Sequence, residues 1–240
     1  MPEFKFELKI GEQIINASVN VPAEAIRPVD LLPILQGFSN AIVGAAATGE
    51  AVSCRAGCGA CCRQVVPISE TEAIYLAELI EEMPSDRKAT ILARFADAVS
   101  RIADAGLSEK LRLESLATPE ERRKVAQTYF TLGIACPFLE NESCGIYDNR
   151  PLACREYLVT SPPANCATPT ADSIAMVEMP KRLSYVLYQF GDGVGKAPVK
   201  FMPLTLMLGH SLPEQPRLPG PELFENFFRA AIAPPPEIMK

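Results

Sequence analysis

Residues 54–62 read CRAGCGACC: four cysteines in nine positions, separated only by Arg55, Ala56, Gly57, Gly59 and Ala60. Cysteines used as small buried hydrophobes scatter at periodic apolar positions, whereas these crowd between glycines, which points to metal binding. Cys58 and Cys61 have the two-residue spacing at which sulfurs of a tight turn face one ion. Gly57 and Gly59 suit that turn, because without a β-carbon they admit left-handed backbone and let amides point at sulfur. Cys54, four residues before Cys58, would share its face if the stretch is helical. Neighbouring side chains diverge by about 100 degrees in a helix and about 180 degrees in a strand, so one of Cys61 and Cys62 is expected to face a second metal atom or a second site.

A second run, CPFLENESCGIYDNRPLACREY, contributes Cys136, Cys144 and Cys154, and Cys166 follows twelve residues later. Four plus four completes two sulfur shells; it equally completes one cubane cluster, leaving four thiols for another ion or for redox work. Four thiolates around zinc, or around a cubane core of the same charge, sum formally to −2, and burying that charge calls for donors. Arg55, Arg63, Arg150 and Arg155 each lie within four residues of a cysteine and are candidates to donate to the bound thiolates.

CRAGCGACCR followed by CPFLENESCGIYDNRPLACR resembles the YkgJ-type cysteine-cluster family, the CxxCxxCC zinc- or iron-chelating domain related to flagellin lysine N-methylase. The resemblance spans roughly residues 50–170. It implies Cys54, Cys58, Cys61, Cys62, Cys136, Cys144 and Cys154 as the ligand pool, with Cys166 as a weaker addition. The family pattern places two residues between its first two cysteines, whereas three stand between Cys54 and Cys58 here. That insertion produces Cys54-x3-Cys58-x2-Cys61, the spacing radical S-adenosylmethionine enzymes use. Those enzymes carry it on a β/α barrel, and neither the strands nor a glycine-rich methionine-binding segment is visible.

Working outward, a chain of 240 residues, 48% apolar, can bury a core without disulfide staples. Eight cysteines in so long a chain, behind an N-terminus without the apolar centre of a signal peptide, place it in the reducing cytoplasm. No apolar run is expected to span a bilayer. A net charge of −6, with both signs spread along the chain, argues against nucleic acid as a partner. With only His210, metal ligation must rely on sulfur, no Ser/His/Asp set can be assembled, and no phosphate-cradling glycine loop is present.

Phe4, Phe6, Leu8 and Ile10 alternate with polar residues, Gly11-Glu12 turns the chain, and Ile15, Ala17, Val19 and Val21 resume the alternation: a β-hairpin over residues 1–22. Residues 29–48 read as a helix with Pro33 in its first turn. Ser69 and Glu72 form a capping box that starts a helix to about Met83. A second helix follows Pro84, with Ile91, Leu92, Phe95, Val99 and Ile102 as one stripe and Gly106 as its end, the two helices packing as an antiparallel pair. Thr118 and Glu121 repeat the capping signature, and Gly133 stops that helix before Cys136. Residues 180–190 read as a helix. A proline-rich connection then leads, within residues 213–240, to a terminal helix striped by Leu223, Phe224, Phe227, Phe228 and Ala231, which docks on its own domain. The expected fold is therefore mainly α: one irregular α-rich domain over residues 1–240, with an N-terminal β-hairpin and a cysteine-rich metal-binding centre in residues 50–170.

The expected function is binding of an iron–sulfur cluster, 4Fe-4S being the favoured form, or of zinc through seven or eight cysteines. Redox or methylase-like transferase activity on a protein substrate is one continuation. A zinc-stabilised protein-interaction module without catalysis is the other.

Overall fold

The computed structural model describes residues 1–10, 13–111, 118–170, 172–196 and 198–233. Strands β1 (Glu3–Ile10) and β2 (Gln13–Asn20) pair antiparallel with Phe4 opposite Val19 and Phe6 opposite Ala17. The expected turn at Gly11-Glu12 lies outside the described residues, as do the side chains of Leu8, Ile10 and Ile15. Three further ladders of two residues each were not legible in the sequence: Ala25–Ile26 with Leu218–Pro219, Pro67–Ile68 with Met202–Pro203, and Leu139–Glu140 with Ser143–Cys144. Elements that short have no hydrophobic period to read.

Helix α1 (Pro28–Ala46) carries Pro28 at its first position, where the missing amide costs nothing, but Pro33 sits inside the helix rather than in its first turn. By length and composition, with a mean hydropathy of 1.3, α1 could cross a membrane, contrary to the expectation that no apolar run reaches that length. In the fold its Leu31, Leu32, Leu35, Phe38 and Ile42 are buried instead against α7 (Leu183–Leu187), α8 (Gly220–Ile232) and the hairpin. The stripe expected on α8 is confirmed, with Phe227 fully buried edge-on to Phe190 at 5.2 Å. The helix expected over 180–190 is shorter, only α7.

Helices α2 (Glu70–Glu81) and α3 (Ser85–Asp104) line a second core of Leu76, Ile80, Ile91, Phe95, Phe138 and Met207. On α3 the buried stripe is Ile91, Phe95, Ala98 and Ile102, while Leu92 and Val99 face solvent. Val99 stands at equally regular helical spacing from Phe95 and Ile102, yet it is the neighbouring small Ala98 that occupies the inner face. The expected capping boxes at Ser69 and Thr118 both form, the latter opening α4 (Pro119–Thr131). A third core joins α3 and α4 through Ile102, Leu111, Val125 and Tyr129. The chain leaving the cysteine run sets Val65 on this third core and Val66 on the second. The site is thereby held at the junction of separately packed bodies.

Candidate metal centre

Residues 54–62 are not helical except for a single 3₁₀ turn over Ala60–Arg63. The helical argument for pairing Cys54 with Cys58 therefore does not apply. Gly57 takes φ +82, the left-handed conformation expected of it. The run is fastened to the second cysteine stretch at three points. The Cys136 amide donates to the Cys62 carbonyl at 2.7 Å. Ser143 Oγ accepts from the Gly57 amide at 3.1 Å. Gly59 lies so close to the 139–144 hairpin that a β-carbon there would fall 2.6 Å from Glu142 Oε2 and 3.2 Å from Glu142 Cα, so glycine is favoured there by close approach, not by conformation.

That hairpin turns on Asn141 and Glu142, both with positive φ, which brings Cys144 opposite Leu139. Cys154 follows in α5 (Leu152–Glu156), whose first amide, that of Leu152, donates to buried Glu72 Oε1 at 2.8 Å. Glu72 thus serves two elements, since its Oε2 accepts from the Ser69 amide at 2.8 Å. Cys166 rides on α6 (Pro163–Ala167), which packs on the Ala60–Arg63 turn, and is 3% exposed.

The sulfurs sit among amide donors. Val159 N–H points at Cys54 Sγ at 3.4 Å, and the amides of Phe138 and Ile146 act to lower the pKa of Cys136 and Cys144. In the last two pairs the donor lies two residues beyond its cysteine, an arrangement that stabilises a thiolate where it is made. Against these donors stands desolvation: burial pushes Cys136 up to about 12 and raises Cys54, Cys144, Cys154 and Cys166. Cys61 moves the other way, to about 7, because the Cys62 thiol donates a hydrogen bond to it. The same bond, with burial, raises Cys62. Adjacent Cys61 and Cys62 both lie in the single 3₁₀ turn over Ala60–Arg63.

Of the four candidate arginines, Arg150 faces the thiols most directly. Its charge bears on Cys54, Cys61 and Cys144, its guanidinium lies 3.8 Å over the Tyr147 ring, and its buried Nε makes no hydrogen bond. Arg155 acts behind it, donating to the carbonyls of Arg150 and Asp148 and to Asn40 while its charge reaches Cys144. Arg63 is engaged with Glu142 at 2.7 Å and with the Gly59 carbonyl at 2.9 Å, and its guanidinium lies close enough to Cys62 for that thiolate to raise it. Arg55 is exposed. Ser143, Val159, Glu142 and Glu72 were not anticipated as parts of the site. Only Glu72 carried a signal, its capping box, which hid its second partner.

All eight cysteines are free. Among the described residues no group of three or more Cys, His, Asp or Glu side chains is arranged so that it could hold a metal ion. The donor set nevertheless suits a thiophilic metal: cysteines of both stretches, a backbone N–H aimed at Cys54, and an arginine whose Nε is buried without a partner. A positive ion offsets the mutual repulsion and desolvation that keep most of these thiols protonated.

The family model described as "CxxCxxCC: Putative zinc- or iron-chelating domain" matches residues 53–174, just over half of the chain and inclusive of every cysteine. No curated protein and no solved structure matches.

Proposed function

The chain belongs to the CxxCxxCC family of zinc- or iron-chelating domains, and from that premise we propose that it holds iron as an iron–sulfur cluster through its clustered cysteines. The observation that carries this reading is the bond from the Cys136 amide to the Cys62 carbonyl, which joins two cysteine stretches distant in sequence. Eight thiols exceed one tetrahedral set, which favours a cluster with further sulfur beside it over a lone structural ion. Bound there, such a cluster supplies one-electron chemistry. The chain's own part is to present thiolates from Cys54, Cys58, Cys61, Cys62, Cys136, Cys144, Cys154 and Cys166, to hold them with backbone amides, and to offset their charge with Arg150. A redox or methylase-like transferase activity on a protein substrate is consistent with the family resemblance. A reducing compartment such as the cytoplasm suits eight unpaired thiols.

Zinc is the second reading, favoured by the Cys58-x2-Cys61 spacing and the left-handed Gly57 before it. The chain is then an interaction module whose centre folds around the ion. Anaerobic purification followed by iron, zinc and sulfide analysis and a visible spectrum tests the choice. A brown protein with iron and acid-labile sulfide supports the cluster; a colourless protein with zinc and no iron rejects it.

A further inference from the structure

We propose that the tip of the 139–144 hairpin is a latch, closed by the Arg63–Glu142 ion pair, that sets how readily the thiols beneath and beside it are reached from solvent. The latch concerns the passage to the sulfurs rather than what they bind, so it stands whichever metal the centre takes.

The base and the tip of the hairpin are held by different partners. At the base, Arg94 on α3 donates to the carbonyls of Pro137 and Leu139, both at 3.1 Å, and Arg87 donates to the Gly145 carbonyl at 2.7 Å. Helix α3 is itself seated in the second core through Ile91 and Phe95, so the base is fixed. The tip reaches the other way. Glu142 meets the Arg63 guanidinium with both carboxylate oxygens, at 2.7 and 2.9 Å, and Ser143 Oγ accepts from the Gly57 amide at 3.1 Å. Arg63 also donates to the Gly59 carbonyl at 2.9 Å. The tip therefore touches the chain on both sides of Cys58, through Gly57 and Gly59, while Cys144 rides on the hairpin itself.

The turn that makes the tip is built against local preference. Glu140 pairs with Ser143, leaving Asn141 and Glu142 as a two-residue loop with both residues at positive φ, +50 and +57. Asparagine suits the first position of such a loop, but glycine is the favoured residue at the second. Glu142 instead holds a left-handed backbone that its β-carbon makes costly, and a residue so placed persists where its surroundings hold it. Arg63 is what holds it. The carboxylate thus serves the contact with the cysteine run rather than the turn that carries it. Both side chains of the pair stay partly exposed, 33% for Arg63 and 52% for Glu142, so the tip can part from the run and close again without opening a hydrophobic core.

The test is site-resolved alkylation of the reduced full chain after chelation, read by mass spectrometry, with circular dichroism as the control for folding. Arg63→Ala, Glu142→Ala and Glu142→Gly should each speed labelling of Cys58 and Cys144 by about two- to fivefold, the range an exposed bidentate pair supports, and leave Cys166 on α6 unchanged. Combining Arg63→Ala with Glu142→Ala should add nothing further. A purely electrostatic effect on the thiols would move Arg63→Ala and Glu142→Ala in opposite directions, because one removes a positive charge and the other a negative one. A role confined to shaping the hairpin would make Glu142→Gly slower to label, since glycine relieves the turn. Either result overturns the proposal, as do unchanged rates or an equal rise at Cys166. Should a variant lose its helical signal, wild type in about 1 M salt decides: screening the pair should speed Cys58 and Cys144 but not Cys166, and no change refutes the latch.

Discussion

The backbone amide of Cys136 donates to the carbonyl of Cys62, the last cysteine of the CRAGCGACC run. The bond spends the main-chain groups of both residues on each other and leaves their side chains for the centre. Because it is a backbone bond, it persists through most side-chain substitutions. The geometry of the centre is thus held by the main chain, and its chemistry by side chains that can be altered one at a time.

Arg150 should control affinity without controlling the fold. Its charge bears on thiols of both stretches, and outer partners of metal ligands commonly affect binding by about 10–100-fold. Arg150→Ala is expected to weaken metal binding by about tenfold, Arg150→Lys by less, and Arg55→Ala not at all. Competition against a chromophoric chelator, with thermal melts of the apo forms as control, measures this.

Stripping the metal should loosen the centre selectively. Among the described residues, none of 54–62 belongs to a hydrophobic core, whereas α1 and α8 are anchored by Leu35, Phe38 and Phe227. Hydrogen exchange at the amides of Cys58, Cys62 and Cys136 is expected to accelerate by at least about tenfold on chelation. The amides of α1 should be unaffected; a uniform acceleration would contradict the separation of centre and cores.

Glu72 is a buried carboxylate with donors on both sides. Burial raises its pKa, partly opposed by the Ser69 and Leu152 amides. Glu72→Ala leaves three donors, the Ser69 amide and hydroxyl and the Leu152 amide, without an acceptor. The expected loss is about 3 kcal/mol in urea unfolding, with Glu72→Gln losing less. Equal stability of Glu72→Ala and wild type would rule out the bridging role.

Acid stability should depend on Asp30. Partial burial works to raise its carboxyl, but hydrogen bonds from the Arg27 side chain and backbone outweigh it and hold the pKa below the ordinary 3.8. A depressed folded-state value means the contribution is fully present above 3.8 and is lost as pH falls through the lower folded value. Urea midpoints measured downward from about pH 5 should fall less steeply for Asp30→Asn than for wild type. The same variant should be less stable than wild type at neutral pH, because Arg27, which also reaches Glu78 at 2.6 Å, loses one of its two carboxylate partners.

Local chemistry was readable directly. The hairpin, the two capping boxes, the terminal aromatic stripe and the glycine at 57 follow from periodicities and backbone preferences that act within a few residues. So did the reading that sulfur would supply the ligands of any bound metal, because eight cysteines beside a single histidine leave little else to bind one. What tertiary structure alone decided was long-range: that Gly59 sits beneath Glu142, that Val159 faces Cys54, that Glu72 caps one helix while holding the start of another, and that Arg150 rather than Arg55 looks onto the thiols. Such pairings depend on which surfaces the hydrophobic cores bring together, and no local preference of either partner encodes the meeting.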